Sequence, residues 1–105
     1  MIVKSTEAKK REFMGVNFEL LSVGQKSMIT KMNYKLGNKV PVHNHPNEQA
    51  GYVVSGKIRI KFIDNDQILT TGDSYVIPEN EDHSVEVMEA GEVIDIFTPP
   101  REDYL

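Results

Sequence analysis

Wherever the apolar and polar positions of this chain are regular, they alternate with a period of two. Met28, Thr30, Met32, Tyr34 and Leu36 fall on one parity, with Lys31, Asn33 and Lys35 on the other. That is the pattern of a strand with one buried face. Lys57 to Phe62 alternates as strictly, with Ile58, Ile60 and Phe62 inward. Gln49 to Val54, Ile68 to Thr70, Ser74 to Ile77, His83 to Met88 and Val93 to Thr98 read as further strands. Phe18 and Leu20 share a parity within the less regular Phe13 to Val23. Val40 to His45 reads as extended, because Pro41 keeps its preceding residue out of the helical region. Gly24-Gln25, Leu36 to Lys39, Asp64-Asn65-Asp66, Thr71-Gly72-Asp73 and Ala90-Gly91 are turns by composition, and Ser55-Gly56 reads as a hairpin turn. No segment carries a 3.6-residue stripe. The expectation is an all-β protein, a sandwich or barrel of short strands. Residues 1–11 are expected to be an arm or edge strand, and residues 12–105 the barrel domain.

Length and charge narrow the picture. A chain of 105 residues is one domain with a modest core. Edge pairing into a homodimer is the expected assembly. Twelve basic against sixteen acidic residues give −4, which argues against a nucleic-acid partner, since that needs clustered Lys and Arg. The one basic run, Lys9-Lys10-Arg11, is flanked by Glu7 and Glu12 and reads as a solvated segment. The absence of cysteine excludes disulfides, thiolate metal sites and cysteine nucleophiles. No apolar run approaches the ~20 residues of a membrane span, and the first residues lack a signal peptide's apolar core. The expected compartment is the cytoplasm.

The candidate chemistry lies in the three histidines. His43 and His45 are two apart, so on extended backbone both point to one side. Pro41 and Pro46 bracket them and disfavour a helix. Beyond the Pro46-Asn47 corner, Gln49 shares parity with Gly51 and Val53, so a returning strand brings its amide oxygen beside the imidazoles while Glu48 points away. His83 opens another alternating strand after a turn-rich stretch. On periodicity alone such histidines also read as surface polar residues.

Two motifs decide in favour of a site. Gly37, His43, His45, Gln49 and Gly56 stand at the spacing G-x5-H-x-H-x3-E-x6-G, and Gly72, Pro78, Asn80 and His83 at G-x5-P-x-G-x2-H. Together they resemble the paired motifs of the cupins. The resemblance implies a single-domain cupin, a small antiparallel β-barrel of jelly-roll type. It departs at Gln49, where the family carries Glu, and at Asn80, where it carries Gly; Asn tolerates the left-handed backbone a glycine would supply there. With three imidazoles and a neutral amide, a divalent ion would keep its full charge and act as a stronger Lewis acid. Imidazole ligands do not single out one ion among Ni, Zn, Fe, Mn and Cu.

The last strand holds a second cluster. Val93, Asp95 and Phe97 share one face, Ile94 and Ile96 the other. Periodicity alone allows Asp95 to face water. With apolar residues on both faces, however, a buried aspartate is the alternative, and it would need a partner or a task. The run from Asp95 to Leu105, with Gln at the fourth ligand position, resembles the KdgF-type cupins of pectin and alginate breakdown. That group converts 4,5-unsaturated uronates to linear 4-deoxy-5-keto-uronates. The resemblance implies metal ligands at His43, His45, Gln49 and His83, and active-site roles for Asp95, Phe97 and Arg101. On this reading Asp95 moves the proton, Arg101 clamps the carboxylate of an acidic sugar and Phe97 packs on its ring. Tyr34 and Tyr75 are further wall candidates, as are Met28, Met32 and Tyr52, although core packing suits most of these. A cupin dioxygenase and a non-catalytic sugar- or metabolite-binding cupin are the alternatives.

Overall fold

The computed structural model describes all of residues 1–105 as two facing antiparallel sheets built from ten strands. In chain order these are β1 (Lys9–Phe13), β2 (Val16–Val23), β3 (Met28–Tyr34), β4 (Lys39–His43), β5 (Glu48–Val53), β6 (Lys57–Phe62), β7 (Asn65–Thr70), β8 (Ser74–Ile77), β9 (His83–Glu89) and β10 (Gly91–Thr98). The larger sheet runs β1-β2-β3-β10-β5-β8 and the smaller β4-β9-β6-β7. The only helical pieces are single 3-10 turns at Ser5–Glu7 and Glu102–Tyr104. None is long and apolar enough to cross a membrane.

Alternation places the core between the sheets. Met28, Thr30, Met32 and Tyr34 of β3 are buried, while Ile29, Lys31 and Asn33 are only partly so. Ile58 and Ile60 of β6, Val85 and Val87 of β9, and Val93 and Phe97 of β10 complete the inner faces with Phe18 and Leu20 of β2. On β10 the parity question is settled: Asp95 lies inward at 1% exposure, and Ile96 is outward at 39%.

Three sequence expectations are corrected. Leu36 is 73% exposed, because β3 ends at Tyr34 and the chain has already turned. Ser55-Gly56 is not a hairpin turn. It carries the chain from the larger sheet to the smaller, and it interlocks with the return corner at Ala90-Gly91. The Val54 and Ser55 amides both donate to Glu92 O, and a Cβ on Gly91 would fall 2.1 Å from Ser55 O. The turn assigned to Asp64-Asn65-Asp66 closes at Ile63-Asp64 instead, with Ile63 at φ 53°. Asn65 and Asp66 belong to β7, where Asp66 takes a bidentate bond from Arg59 on β6. The Met14-Gly15 turn between β1 and β2, with φ of 51° and 81°, carried no recognised signal.

Candidate metal centre and its acid neighbour

Pro41 sets the first ligand. Val40 pairs with Val85, but His43 pairs with His83, so β4 has one more residue than β9 across this interval. Proline has no N–H to give the ladder, and the strand bulges there. The extra residue reverses the parity. Val42 faces out at 68% exposure, and His43 points to the same side as Val40. His43 and His83 thereby become direct cross-strand neighbours, with ring centroids 4.2 Å apart. His45 lies beyond the end of β4, in the loop, rather than on an extended strand. Its carbonyl accepts the Asn80 amide at 2.8 Å, and Asn80 holds the left-handed backbone at φ 61°. Asn44 reaches across to Asp82 at 2.9 Å. The two motif loops are thus tied together.

All three imidazoles are oriented in the same way. Nδ1 of His43 faces Pro41 O at 3.0 Å, Nδ1 of His45 faces Asn47 O at 3.0 Å, and Nδ1 of His83 faces Glu81 O at 2.8 Å. A carbonyl only accepts, so each Nδ1 carries the proton and each Nε2 presents a lone pair. The three donor nitrogens lie within 4.8 Å of one another, and buried Nε2 of His83 has no partner at all. Burial lowers the pKa of all three rings, and that of His83 falls to about 4 with help from the neighbouring His43, His45 and Arg101. At neutral pH they are uncharged, as ligation requires.

Gln49 joins this cluster from β5. Its Oε1 lies 3.0 Å from Nε2 of His45. Gln49 is also one of the groups that hold the Asp95 pKa down, which fits a carboxamide whose nitrogen is turned toward the carboxylate and whose oxygen is turned toward His45. Two acceptors facing each other at 3.0 Å repel unless a cation lies against both. The orphaned Nε2 of His83, the neutral donor set and this acceptor pair all fit a divalent metal. The cluster is consistent with a metal site.

Asp95 sits behind Gln49. Burial raises its carboxyl to about 6, against the opposing pull of Tyr75, Gln49 and Arg101. Tyr75 donates to its Oδ1 at 2.6 Å. Tyr75 pairs with Gly51, and Gly51 pairs with Asp95, so the phenol crosses a whole strand to reach the acid. It can do so only because Gly51 has no side chain: a Cβ there would lie 2.1 Å from the phenol's Cζ. The Tyr75 hydroxyl is therefore committed to Asp95, whereas Tyr34 lines the cavity beside the histidines.

The segment after β10 closes the site. Asn47, buried at 4%, donates to Pro99 O and ties the His45 loop to the Pro99-Pro100 corner. Arg101 turns back over the barrel mouth at 3% exposure. Its guanidinium packs against Phe13, Phe97 and Tyr104, with centroids at 4.8, 5.2 and 3.9 Å. Phe97 does not border the small cavity; it stands edge-on between His45 and Tyr104. Arg101 separates two spaces. Inside is a cavity of about 20 Å³ among His43, His83, Gln49, Asp95 and Tyr34. Outside is an open cleft of about 530 Å³ along Asn44 to Asn47 and Pro99 to Asp103. The inner cavity has room for an ion or one water but not a sugar ring. Asn47, Gly51, Asp103 and Tyr104 were not singled out from the sequence. Gly51 alone left a trace, as a glycine on the inward parity of a strand.

The cupin domain family matches residues 30–97, a span that runs from β3 through β10 and contains all four candidate ligands. The chain belongs to the cupin family. This cupin is 31% identical over 93 residues to the pectin degradation protein KdgF of Dickeya dadantii, covering 87% of this chain and 84% of that protein. Among solved structures, an RmlC-like cupin from Shewanella frigidimarina superposes with a TM-score of 0.91 at 28% identity, over 99% of this chain and 95% of the other. KdgF from Halomonas sp. superposes at 0.90 with 25% identity, over the whole of both chains. It is a small cupin similar to KdgF, with a buried three-histidine cluster.

Proposed function

We propose that this cupin is a metal-dependent enzyme that opens 4,5-unsaturated uronates to linear 4-deoxy-5-keto-uronates, with His43, His45, Gln49 and His83 as ligands of one divalent transition-metal ion. The observation that carries the reading is the position of Gln49, whose Oε1 lies 3.0 Å from Nε2 of His45 and which lines one small cavity with His43, His83 and Asp95, so that a proton-transfer group stands beside the candidate ligands. Similarity to KdgF supports the choice of an acidic, pectin-derived sugar. A bound divalent ion would supply Lewis acidity toward substrate oxygens.

The remaining work falls to the chain's own residues. The substrate is a cyclic hemiacetal whose ring oxygen is also an enol ether. Opening it removes the proton of the anomeric hydroxyl, breaks the bond between the anomeric carbon and the ring oxygen, and leaves an aldehyde and an enolate. Protonation of the enolate carbon by that same proton then yields the keto form, with no change in oxidation state. Asp95, with a carboxyl near 6, accepts the first proton and returns it in the second step. Tyr75 holds Asp95 in place. Arg101 takes the uronate carboxylate by its paired donors, Tyr34 borders the ring, and Phe97 stands against the Arg101 guanidinium. Entry of the ring requires Arg101 and Tyr104 to move away from the mouth. The protein acts on a free small molecule, without nucleic acid or membrane, and we place it in the cytoplasm as a homodimer.

The test is incubation of metal-loaded protein with unsaturated galacturonate. The enol-ether absorbance should decay well above the spontaneous rate, and His43→Ala and Asp95→Ala should each abolish the gain. An unchanged rate with metal fully loaded sinks the uronate reaction and leaves the family assignment standing.

A further inference from the structure

We infer that Asp103 is an internal stand-in for the ligand's carboxylate: it occupies the Arg101 fork until an anionic ligand displaces it, and so sets which anions the site admits. The inference rests on the proposal that Arg101 receives an acidic sugar.

Three of the five Arg101 N–H groups are already used. Nε donates to Asp103 Oδ1 at 3.1 Å and Nη2 to Asp103 Oδ2 at 2.7 Å, the parallel two-bond geometry that a ligand carboxylate would need. Nη1 donates to the Tyr104 hydroxyl at 3.0 Å. No second carboxylate can take the Nε–Nη2 edge while Asp103 stays. The two partners of this pair are unequally placed. The Arg101 side chain is 4% exposed and that of Asp103 is 57% exposed. Both border the open cleft. The arginine packs against three aromatic rings, so Asp103 is the partner free to leave the pair. Asp103 has no other side-chain bond and can turn into water, where solvation replaces what it loses.

A buried guanidinium left without an anion is strongly unfavourable. Exchange of one carboxylate for another avoids that state at both ends. An intramolecular carboxylate also competes at high effective concentration. Acetate, which offers nothing but its charge, should lose to it. A uronate that gains further contacts deeper in the site should win. Apparent affinity for every carboxylate is reduced by the fraction of molecules in which the fork is free.

The experiment compares zinc-loaded wild-type and Asp103→Asn protein for binding of galacturonate, galactose and acetate by calorimetry. Asp103→Asn should tighten galacturonate by about 10–100-fold, bring acetate into the measurable range and leave galactose unchanged. Unchanged or weaker galacturonate binding, or none by the variant, overturns the inference. A measurement on wild-type protein stands independently of how the variant folds. On titration with galacturonate, the Asp103 carboxyl carbon resonance should move toward that of exposed Asp64 as the Arg101 Nε–H signal shifts. An unmoved Asp103 resonance at saturation overturns the inference. If unsaturated galacturonate is not turned over but Asp103→Asn tightens galacturonate, the inference stands and the reaction fails. If turnover is seen and Asp103→Asn leaves KM unchanged, the reverse holds.

Discussion

Tyr75 donates its phenol to Asp95 at 2.6 Å by crossing Gly51, the residue between them in the sheet. The bond links a glycine that looks like a packing detail to an acid whose protonation the proposed reaction uses. Gly51→Ala should therefore act at a distance. Its Cβ would fall 2.1 Å from the Tyr75 ring, and the phenol must give way. The expected loss is about 1–3 kcal/mol of stability, read as a lower urea midpoint. Asp95 titration should move upward as well, because the phenol's bond is one of the things holding it down. Tyr75→Phe should reproduce that upward shift without the clash.

Asp95 also makes a signed prediction for metal-free protein. Its folded carboxyl, near 6, lies above its ordinary 3.8. Between those values the unfolded chain releases a proton that the folded chain keeps. The group's contribution is full below 3.8 and is lost as pH rises through 6. Asp95→Asn has no such titration. The stability of Asp95→Asn relative to wild type should rise between pH 4 and pH 7, by about 2–3 kcal/mol. Urea unfolding of both proteins at the two pH values checks it; a pH-independent difference contradicts the assigned burial.

The bulge at Pro41 gives a prediction about register. Replacing Pro41 with valine, without changing the length of the strand, should allow regular pairing between β4 and β9, and Val42 would then face inward and His43 outward. The variant should keep its β circular dichroism and lose most of its metal affinity. Metal binding equal to wild type would show that the bulge does not aim the ligand.

Gln49→Glu tests the neutral donor set. A carboxylate in this place should tighten divalent metal by about tenfold or more, since a full charge meets the ion at a buried site. It should also raise Asp95 further, because a like charge replaces the amide that donates to it. Competition against a chelator reads the first effect, and the carboxyl resonance of Asp95 reads the second.

Much of this was legible along the chain. The parities of β3, β5 and β9 follow from alternation, because each has one inner face; that of β10 stayed open, because apolar residues stand on both of its faces. The paired motifs gave the family, and Asn80 took the backbone expected of it. What remained hidden depends on partners distant in sequence. Pro41 announces extended chain, but its bulge exists only against β9. Ser55-Gly56 has the composition of a hairpin turn; only its fit against Ala90-Gly91 shows that it changes sheets. Gly51 has a reason only once Tyr75 lies over it. Asp103 looks like a solvated acid until Arg101 folds back beside it.

The most direct test is titration of metal-free protein with a divalent transition metal, followed by calorimetry. Wild type should take up one equivalent per chain, and His83→Ala should show at least a hundredfold weaker binding, since it removes the imidazole whose Nε2 has no other partner. Absence of binding by wild type, or equal binding by His83→Ala, would contradict the metal centre on which the proposed function rests.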